Sequence, residues 1–291
     1  MGYSGRYHAA SLVAVFIALA IGIVIGAGLA DDVQTSAEAE VEQTLRSDLD
    51  EAQQEADDAQ AALRGEQEFS SRIYPAFVDG RLAGSQVAVV GLGELSDDTA
   101  AAVESALAPT GAEVAARATI ELPPDVDALA DAAGPRWAAA KRDNAQLERL
   151  GRQLGIGLTG GNAVIEAAGP ELFSRFSGKL TNVSRIVLAP GDLSELDAAG
   201  RESTQALLDG IYAGVESGAA GSVAVELSGT DPTRLGPASA AGVSTVNDAE
   251  LPAGQVAIVF SLLGAEGDFG TGDDVDSLLP ELVQSGQAAA P

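Results

Sequence analysis

The apolar run over residues 9–30 constrains this chain more than any other feature, because it contains no charged residue and no proline. As a helix it would be about 33 Å long, which is enough to cross a hydrocarbon core of ~30 Å. A helix in a globular core would need a polar face, and Ser11 is the only polar residue in the run. We therefore predict a transmembrane signal anchor over residues 9–30. A cleaved signal peptide is the alternative, because Gly28-Leu29-Ala30 is similar to a small-x-small cleavage site.

The charges that flank the run predict its orientation. Arg6 lies before it with no acid among residues 1–8, whereas five acids, at positions 31, 32, 38, 40 and 42, come before the first later base, Arg46. The positive-inside rule then makes residues 1–8 a cytoplasmic lead. We expect a single-pass protein of the cell membrane whose remaining chain is extracytoplasmic.

Small residues recur at intervals of four along the predicted anchor and form a stripe that we call the ridge. The ridge consists of Ala14, Ala18, Gly22, Gly26 and Ala30. Such a stripe lets two helix backbones approach closely in lipid, so it predicts a homo-oligomer, a dimer or higher. The alternative is that alanine and glycine are simply frequent in this chain.

Residues 31–72 predict a helical coiled-coil stalk, because apolar residues there alternate spacings of four and three. This seam consists of Leu45, Leu49, Ala52, Ala56, Ala59 and Leu63. Half of it is alanine, which buries little area, so a stable coiled coil needs the anchor or the distal domain to hold the strands together. We expect the helix to fray near Gly65, and Pro75 to mark the junction with the next domain or the first turn of a following helix.

Beyond the stalk, residues 75–270 alternate strand and helix patterns and predict an extracytoplasmic three-layer α/β domain with a mostly parallel sheet. Strands are predicted over 86–90, 113–120, 185–188 and 223–227, and helices from Ser96, from Pro123 through Trp137 to 154, over 162–176, from Ser194 to 216, and from Pro252. Residues 271–291 are predicted to form an acidic, low-complexity tail.

The residues offer little for catalysis. The chain has no cysteine, and its one histidine is His8, before the predicted anchor. A Ser-His-Asp or Cys-His arrangement in the outer domain is therefore impossible, and no HExxH zinc motif is present. Gly91-Leu92-Gly93 is a fragment of a dinucleotide-binding turn, but Ser96 stands where the third glycine should be. We interpret it as a strand-to-helix turn and predict neither enzyme activity nor a cofactor; paired carboxylates of a glycosidase stay an open alternative.

Acidic residues near the end of the domain form a candidate cation site. They are Glu266, Asp268, Asp273, Asp274 and Asp276. Their carboxylates are suitable ligands for Ca²⁺ or Mg²⁺, but they lack the EF-hand spacing, and a solvated acidic loop is the favoured interpretation. The net charge of −27 further argues against nucleic acid and against anionic lipid headgroups as partners.

Residues 8–26 resemble the amino terminus of the actinobacterial copper transport protein family, the MctB-like proteins. The similarity extends to residues 68–69, 87–90, 254–263 and 267–270. It implies a basic lead, an anchor, a helical stalk and an α/β outer domain, with a role in keeping intracellular copper low. The chain also resembles the membrane member of the SteA–SteB cell-separation pair, which implies a coiled-coil adaptor that acts with a partner protein.

Copper chemistry limits what that resemblance predicts. Cu(I) prefers thiolate and thioether ligands, and imidazole suits Cu(II). Met1 and His8 are the only such donors in the chain. One span without an ionisable residue does not line an ion pathway by itself. The residues thus do not support a copper-coordinating mechanism. Two hypotheses remain: a protein of a copper homeostasis or efflux system of the envelope, as the resemblance implies, and a non-enzymatic adaptor in cell separation or cell-wall remodelling.

Overall fold

The computed structural model describes residues 4–272 and 275–281, and it describes the side chains of all of these except 4–10 and 27–42. The chain divides into two compact units, residues 1–66 and residues 67–291. We describe each unit by itself.

One helix, α1 (Ser4–Val78), makes up the described part of the first unit and continues into the second. The predicted fraying at Gly65 is wrong, because flanking residues with high helix propensity compensate for the cost of about 1 kcal/mol that one glycine imposes. Pro75 lies inside the last turn and does not begin a new helix. Among the described residues, no helix offers a stretch long and apolar enough to span a membrane. Part of the predicted anchor, residues 9–10 and 27–30, lies outside the described side chains.

The second unit is built on a seven-stranded sheet with the order β3-β2-β1-β4-β5-β6-β7. The strands are β1 (Gln86–Leu92), β2 (Glu113–Ile120), β3 (Phe173–Gly178), β4 (Arg185–Pro190), β5 (Gly221–Val225), β6 (Ser244–Val246) and β7 (Asp268–Phe269). Every neighbouring pair is parallel except β2 and β3, which are antiparallel. The predicted α/β fold with a mostly parallel sheet is confirmed.

Helices cover both faces of this sheet. They are α2 (Asp97–Leu107), α3 (Val126–Ala133), α4 (Asn144–Leu158), α5 (Ala163–Leu172), α6 (Ala198–Gly218), α7 (Gly236–Ala240) and α8 (Pro252–Leu262), with 3₁₀ helices at Ala108–Thr110 and Pro135–Lys141. Alternate residues of β1 enter opposite cores: Ala88 and Val90 pack against the α3–α7 layer, and Val87 and Val89 pack against α2, α8 and the end of α1. Burial on both faces explains why the central strands β1 and β4 are apolar after their first residue.

Two helix predictions were wrong at their ends. The helix predicted over 162–176 ends at Leu172, because Phe173 begins a strand that pairs with β2. The helix predicted to begin at Ser194 begins at Ala198, and its cap is Asp197, whose Oδ1 accepts a hydrogen bond from the Gly200 N–H at 2.7 Å. Pairing with β2 ends the first helix, and a cap at Asp197, three residues after Ser194, sets the start of the second. Helix propensity alone indicates neither position.

Other boundaries moved less. The helical stretch predicted from Pro123 is three pieces, and its first helix is capped by Asp125. The strand predicted over 223–227 lies at Gly221–Val225. Strands β6 and β7 and the helix α7 were not predicted, because elements of five residues or fewer give almost no periodic signal.

Candidate functional site

The ridge lies along one side of α1. Ala14, Ala18, Gly22 and Gly26 are all exposed, and a Cβ built at either glycine would meet nothing within 4 Å. The side chain of Ala30 lies outside the described part. The ridge therefore has room for another backbone to approach, and its role as a helix contact stays a prediction.

The six seam residues are exposed as well. The leucines show it most clearly: Leu45, Leu49 and Leu63 are 63%, 57% and 58% exposed. Around the ridge, ten large apolar side chains between residues 12 and 25 are also exposed. Large exposed apolar surfaces mark interaction sites in proteins. The described part of α1 thus presents two apolar surfaces without a covering element.

The glycine turn after β1 is filled by protein. Gly93 has φ +95°, and a Cβ there would lie 3.4 Å from Leu122 and 3.6 Å from the Cα of Gly191. The Gly191 N–H donates to the carbonyl oxygen of Leu92 at 2.7 Å. In doubly wound folds a dinucleotide binds where the strand order reverses, which here is between β1 and β4. The close approach of the two loops explains these glycines and supports the interpretation of a plain turn.

A polar cleft of about 390 Å³ lies at the carboxyl ends of β5, β6 and β7. Ligands of open α/β sheets bind at this edge. The cleft is lined by carboxylates, hydroxyls and an amide, with a few apolar groups: Glu226, Leu227, Ser228, Thr230, Thr233, Leu235, Ser239, Thr245, Asn247, Asp248, Asp268, Thr271 and Val275 among others.

Two buried carboxylates hold the loops of this cleft. Glu226 is 6% exposed and accepts hydrogen bonds from the Thr233 hydroxyl at 2.7 Å and from the Arg234 N–H at 2.9 Å. Asp248 is 3% exposed, and its Oδ2 accepts from the Thr271 N–H at 2.8 Å. Both charges are stabilised by neutral donors. A buried charge without such donors would be costly.

The acidic group predicted from the sequence is divided between the cleft and its rim. Asp268 lines the cleft, and its carboxylate accepts from the hydroxyls of Ser239 at 2.7 Å and Thr245 at 2.6 Å. Asp276 accepts from the Asp268 N–H at 3.0 Å. Asp273 and Asp274 lie outside the described residues, and Glu266 lines a different depression. Within the described residues no three carboxylates are placed to hold a metal ion.

The described lining of the cleft has three carboxylates and no basic side chain, which disfavours anions. Arg234, whose backbone holds Glu226, directs its guanidinium to Asp192 at 3.1 Å instead. Hydrogen bonds from Ser194, together with the charge of Arg234, keep the pKa of Asp192 below its ordinary value. With three carboxylates on its walls, the cleft is suited to neutral hydroxyl-bearing groups or to cations. Its described lining holds no histidine, cysteine or lysine to act as a nucleophile or base.

Sequence reasoning missed Glu226 and Asp248. The signal that was available is positional: each acid comes within two residues of the end of a short buried strand, β5 or β6. The carboxyl ends of parallel strands meet at one edge of the sheet, so acids at successive strand ends converge. Because β6 was not predicted, that convergence was not visible.

Comparison with known protein families identifies relatives of this chain. A family model described as "Copper transport outer membrane protein, MctB" matches residues 3–280. This chain belongs to the MctB family. The match covers α1 and the α/β unit, so the family includes both units of the chain.

Similar proteins of the MctB family come from mycobacteria. Proteins named "Copper transporter MctB" from Mycobacterium bovis and from two strains of Mycobacterium tuberculosis are 30% identical to this chain over 115 residues. The aligned part is 40% of this chain and 37% of each relative. The similarity to these relatives is therefore partial.

Proposed function

We propose that this chain is a membrane-anchored, non-enzymatic member of the MctB family that serves copper homeostasis in the cell envelope through contacts with other proteins. The observation that carries the proposal is the family match over residues 3–280. The names of the mycobacterial relatives supply the copper role, which we extend to this chain as part of the proposal.

Anchoring is supported by the apolar residues at the start of α1. From Ser11 to Gly26 every side chain is exposed, and none is charged. Exposure of ten large apolar side chains to water would be unfavourable by roughly 25 cal/mol for each Å². Insertion into lipid removes that cost, and the flanking charges favour a cytoplasmic amino terminus.

The donor set argues that copper is not held by the outer domain. Copper sites use thiolate, thioether or imidazole ligands. Residues 9–291 contain no cysteine, methionine or histidine. The acids of the polar cleft are hard oxygen donors that already accept hydrogen bonds from their own loops. Copper therefore passes through, or is sensed by, a protein other than this domain.

Copper tolerance and copper content of a deletion strain test the role. We expect a higher cellular copper content and growth inhibition at a lower copper concentration, both restored by the intact gene. A His8→Ala gene should restore both equally well, because copper coordination by this chain is not part of the proposal. Unchanged copper content in the deletion strain would refute the copper role.

A second candidate function is an adaptor in cell separation or cell-wall remodelling, with a partner protein of the envelope. The observation that favours it is the exposed seam, where three leucines and three alanines of α1 have no covering element in the described chain. Parallel helices that pair through such a seam give a rigid dimeric stalk. A chaining defect in the deletion strain, with normal copper content, would select this function over the first.

The ridge can be tested in the full chain by crosslinking in membranes. Gly22→Ile with Gly26→Ile should reduce the crosslinked dimer, since close helix approach requires small residues. Neither change creates a clash within one helix, because nothing lies within 4 Å of either glycine. Ala18→Ile should act in the same direction. Ala20→Ile, two residues from Gly22 and so on the opposite face, is the matched control. Equal crosslinking of all variants would reject the ridge.

A further inference from the structure

Strand β3 is an outer strand of the sheet. In the described part of the chain no strand pairs with its far side. The Lys179 N–H donates to the Ala115 carbonyl oxygen at 2.9 Å, so the amides of Arg175 and Ser177 face β2 by the alternation of an antiparallel pair. The amide N–H and C=O of Phe176 then face outward. An extended chain can use such groups to join the sheet.

An apolar groove of about 410 Å³ lies beside this edge, between β3 and α5. Its apolar lining includes Ile165, Pro170, Phe173, Phe176 and Leu180. The rings of Phe173 and Phe176 are stacked with their centroids 5.2 Å apart, and Phe176 is 48% exposed. Charges on an edge strand are a common defence against aggregation. Protection against aggregation would explain the charges on β3, but it would not explain the apolar groove beside them. Such a groove is typical of domains that bind peptides by strand addition, where it holds side chains of the peptide.

β3 and the turn after it carry only basic charges. Residues 172–184 contain two bases, Arg175 and Lys179, and no acid, in a chain with 43 acids and 16 bases. Arg175 and Lys179 are exposed, and neither forms an ion pair with any described residue. The neighbouring acids, Glu166 and Glu171, lie on α5, and Arg175 is the one charged side chain of β3 itself.

We propose that β3 and the groove between β3 and α5 bind an extended, acidic segment of a partner protein, which adds to the sheet as a further strand. Its backbone pairs with the outward amide groups at Phe176. Its apolar side chains enter the groove, and its carboxylates meet Arg175 and Lys179. The proposal uses only residues 161–181 and is independent of the ridge, the seam and copper.

A fluorescein-labelled ten-residue peptide of alternating Val and Glu tests this with the full chain in detergent. Fluorescence anisotropy should show saturable binding. A peptide of the same sequence with every amide N-methylated should not bind, because it cannot pair with a strand. An alternating Val–Lys peptide should bind at least about tenfold more weakly, because its charge matches that of β3.

Charge reversal on the protein provides the matched comparison. The double variant Arg175→Glu, Lys179→Glu should weaken binding of the Val–Glu peptide about tenfold or more at low salt. The control, Arg149→Glu with Arg152→Glu, makes the same change of net charge on exposed arginines of α4. Fluorescence of Trp137 during thermal unfolding shows that both variants fold.

Four binding results would overturn the proposal. They are the absence of saturable binding to the wild-type chain, equal binding of the N-methylated peptide, tighter binding of the Val–Lys peptide, and an equal effect of the α4 control. Self-association of the chain that is lost only in the β3 variant would also overturn it, because the occupant of the groove would then be a second copy.

Discussion

Helices α4 and α6 touch through their backbones, and this contact makes a sharp prediction about stability. Gly151 and Gly155 of α4 lie against Gly210 and Gly214 of α6. A Cβ added at Gly214 would lie 2.2 Å from the carbonyl oxygen of Arg152 and 3.0 Å from the Cα of Gly155. The obstructing atoms are backbone, so no side-chain rotation can relieve the overlap.

The cost of Gly214→Ala follows from that distance. A carbon atom normally stays about 3.3 Å or more from a carbonyl oxygen, so α6 must retreat by roughly 1 Å. Overpacking of this kind costs about 3 kcal/mol at the upper end of its usual range, and a gap of that size also forfeits dispersion energy. Alanine regains about 1 kcal/mol of helix propensity. We expect a net loss of about 2 kcal/mol, or a melting temperature about 4–8 °C lower for a domain of this size.

Thermal unfolding followed by fluorescence checks this, because Trp137 is the only tryptophan and is 8% exposed in the same core. Gly169→Ala on α5 is the matched control, since its Cβ would lie in ordinary van der Waals contact with the Phe173 ring, at 3.4 Å. The control should melt at or above the wild-type temperature. If Gly214→Ala melts as high as Gly169→Ala, the two helices are not in backbone contact and the reasoning is refuted.

Three further substitutions follow from single hydrogen-bonding or titrating groups. Burial raises the pKa of Tyr74 and Tyr212. Their contribution to stability is therefore full below the ordinary tyrosine pKa of about 10 and is lost as the pH rises above that value. The double variant Tyr74→Phe, Tyr212→Phe should flatten the alkaline side of a plot of melting temperature against pH. The Asn162 Oδ1 accepts from two backbone N–H groups at the start of α5, and its Nδ2 donates to the Gln153 carbonyl oxygen at 2.8 Å. Asn162→Ala should cost about 1–2 kcal/mol in urea unfolding. Asn162→Asp should also destabilise, because it keeps the cap but sets a carboxylate oxygen against the Gln153 carbonyl. Glu226→Ala leaves the Arg234 N–H and the Thr233 hydroxyl unpaired and should cost about 1–3 kcal/mol, with Glu226→Gln between it and the wild type in the same assay.

The parts of the fold that could be predicted are those whose signal is local. The strand β2 was predicted with its observed ends, because an alternating run ends at a glycine turn on one side and two prolines on the other. The cap at Ser96 was also confirmed, since its Oγ accepts from the Thr99 N–H at 3.1 Å. Both depend on residues within a few positions of each other in the chain.

The parts that failed depend on distant residues. Nothing local distinguishes Phe173–Gly178 from the end of a helix, and only its pairing with β2, more than fifty residues earlier, makes it a strand. Strands β6 and β7 are three and two residues long and exist because the sheet extends to them. The polar cleft formed by their ends could not be assembled without them. The sequence shows a GxxxG pair in α4, Gly151 and Gly155, and another in α6, Gly210 and Gly214. It does not show which helix each pair packs against.

The α/β unit contains no cysteine, methionine or histidine, so a copper role requires that another protein supply such donors. The polar cleft of the α/β unit offers carboxylates, hydroxyls and backbone groups, all hard ligands that Cu(I) does not prefer. If copper content changes on deletion, the protein that co-purifies with this chain should therefore contain cysteine, methionine or histidine in a plausible metal site. If the co-purifying protein lacks such residues and has an acidic extended segment instead, we expect that segment to bind at the β3 groove. The adaptor function would then explain the role of this chain without copper binding to it.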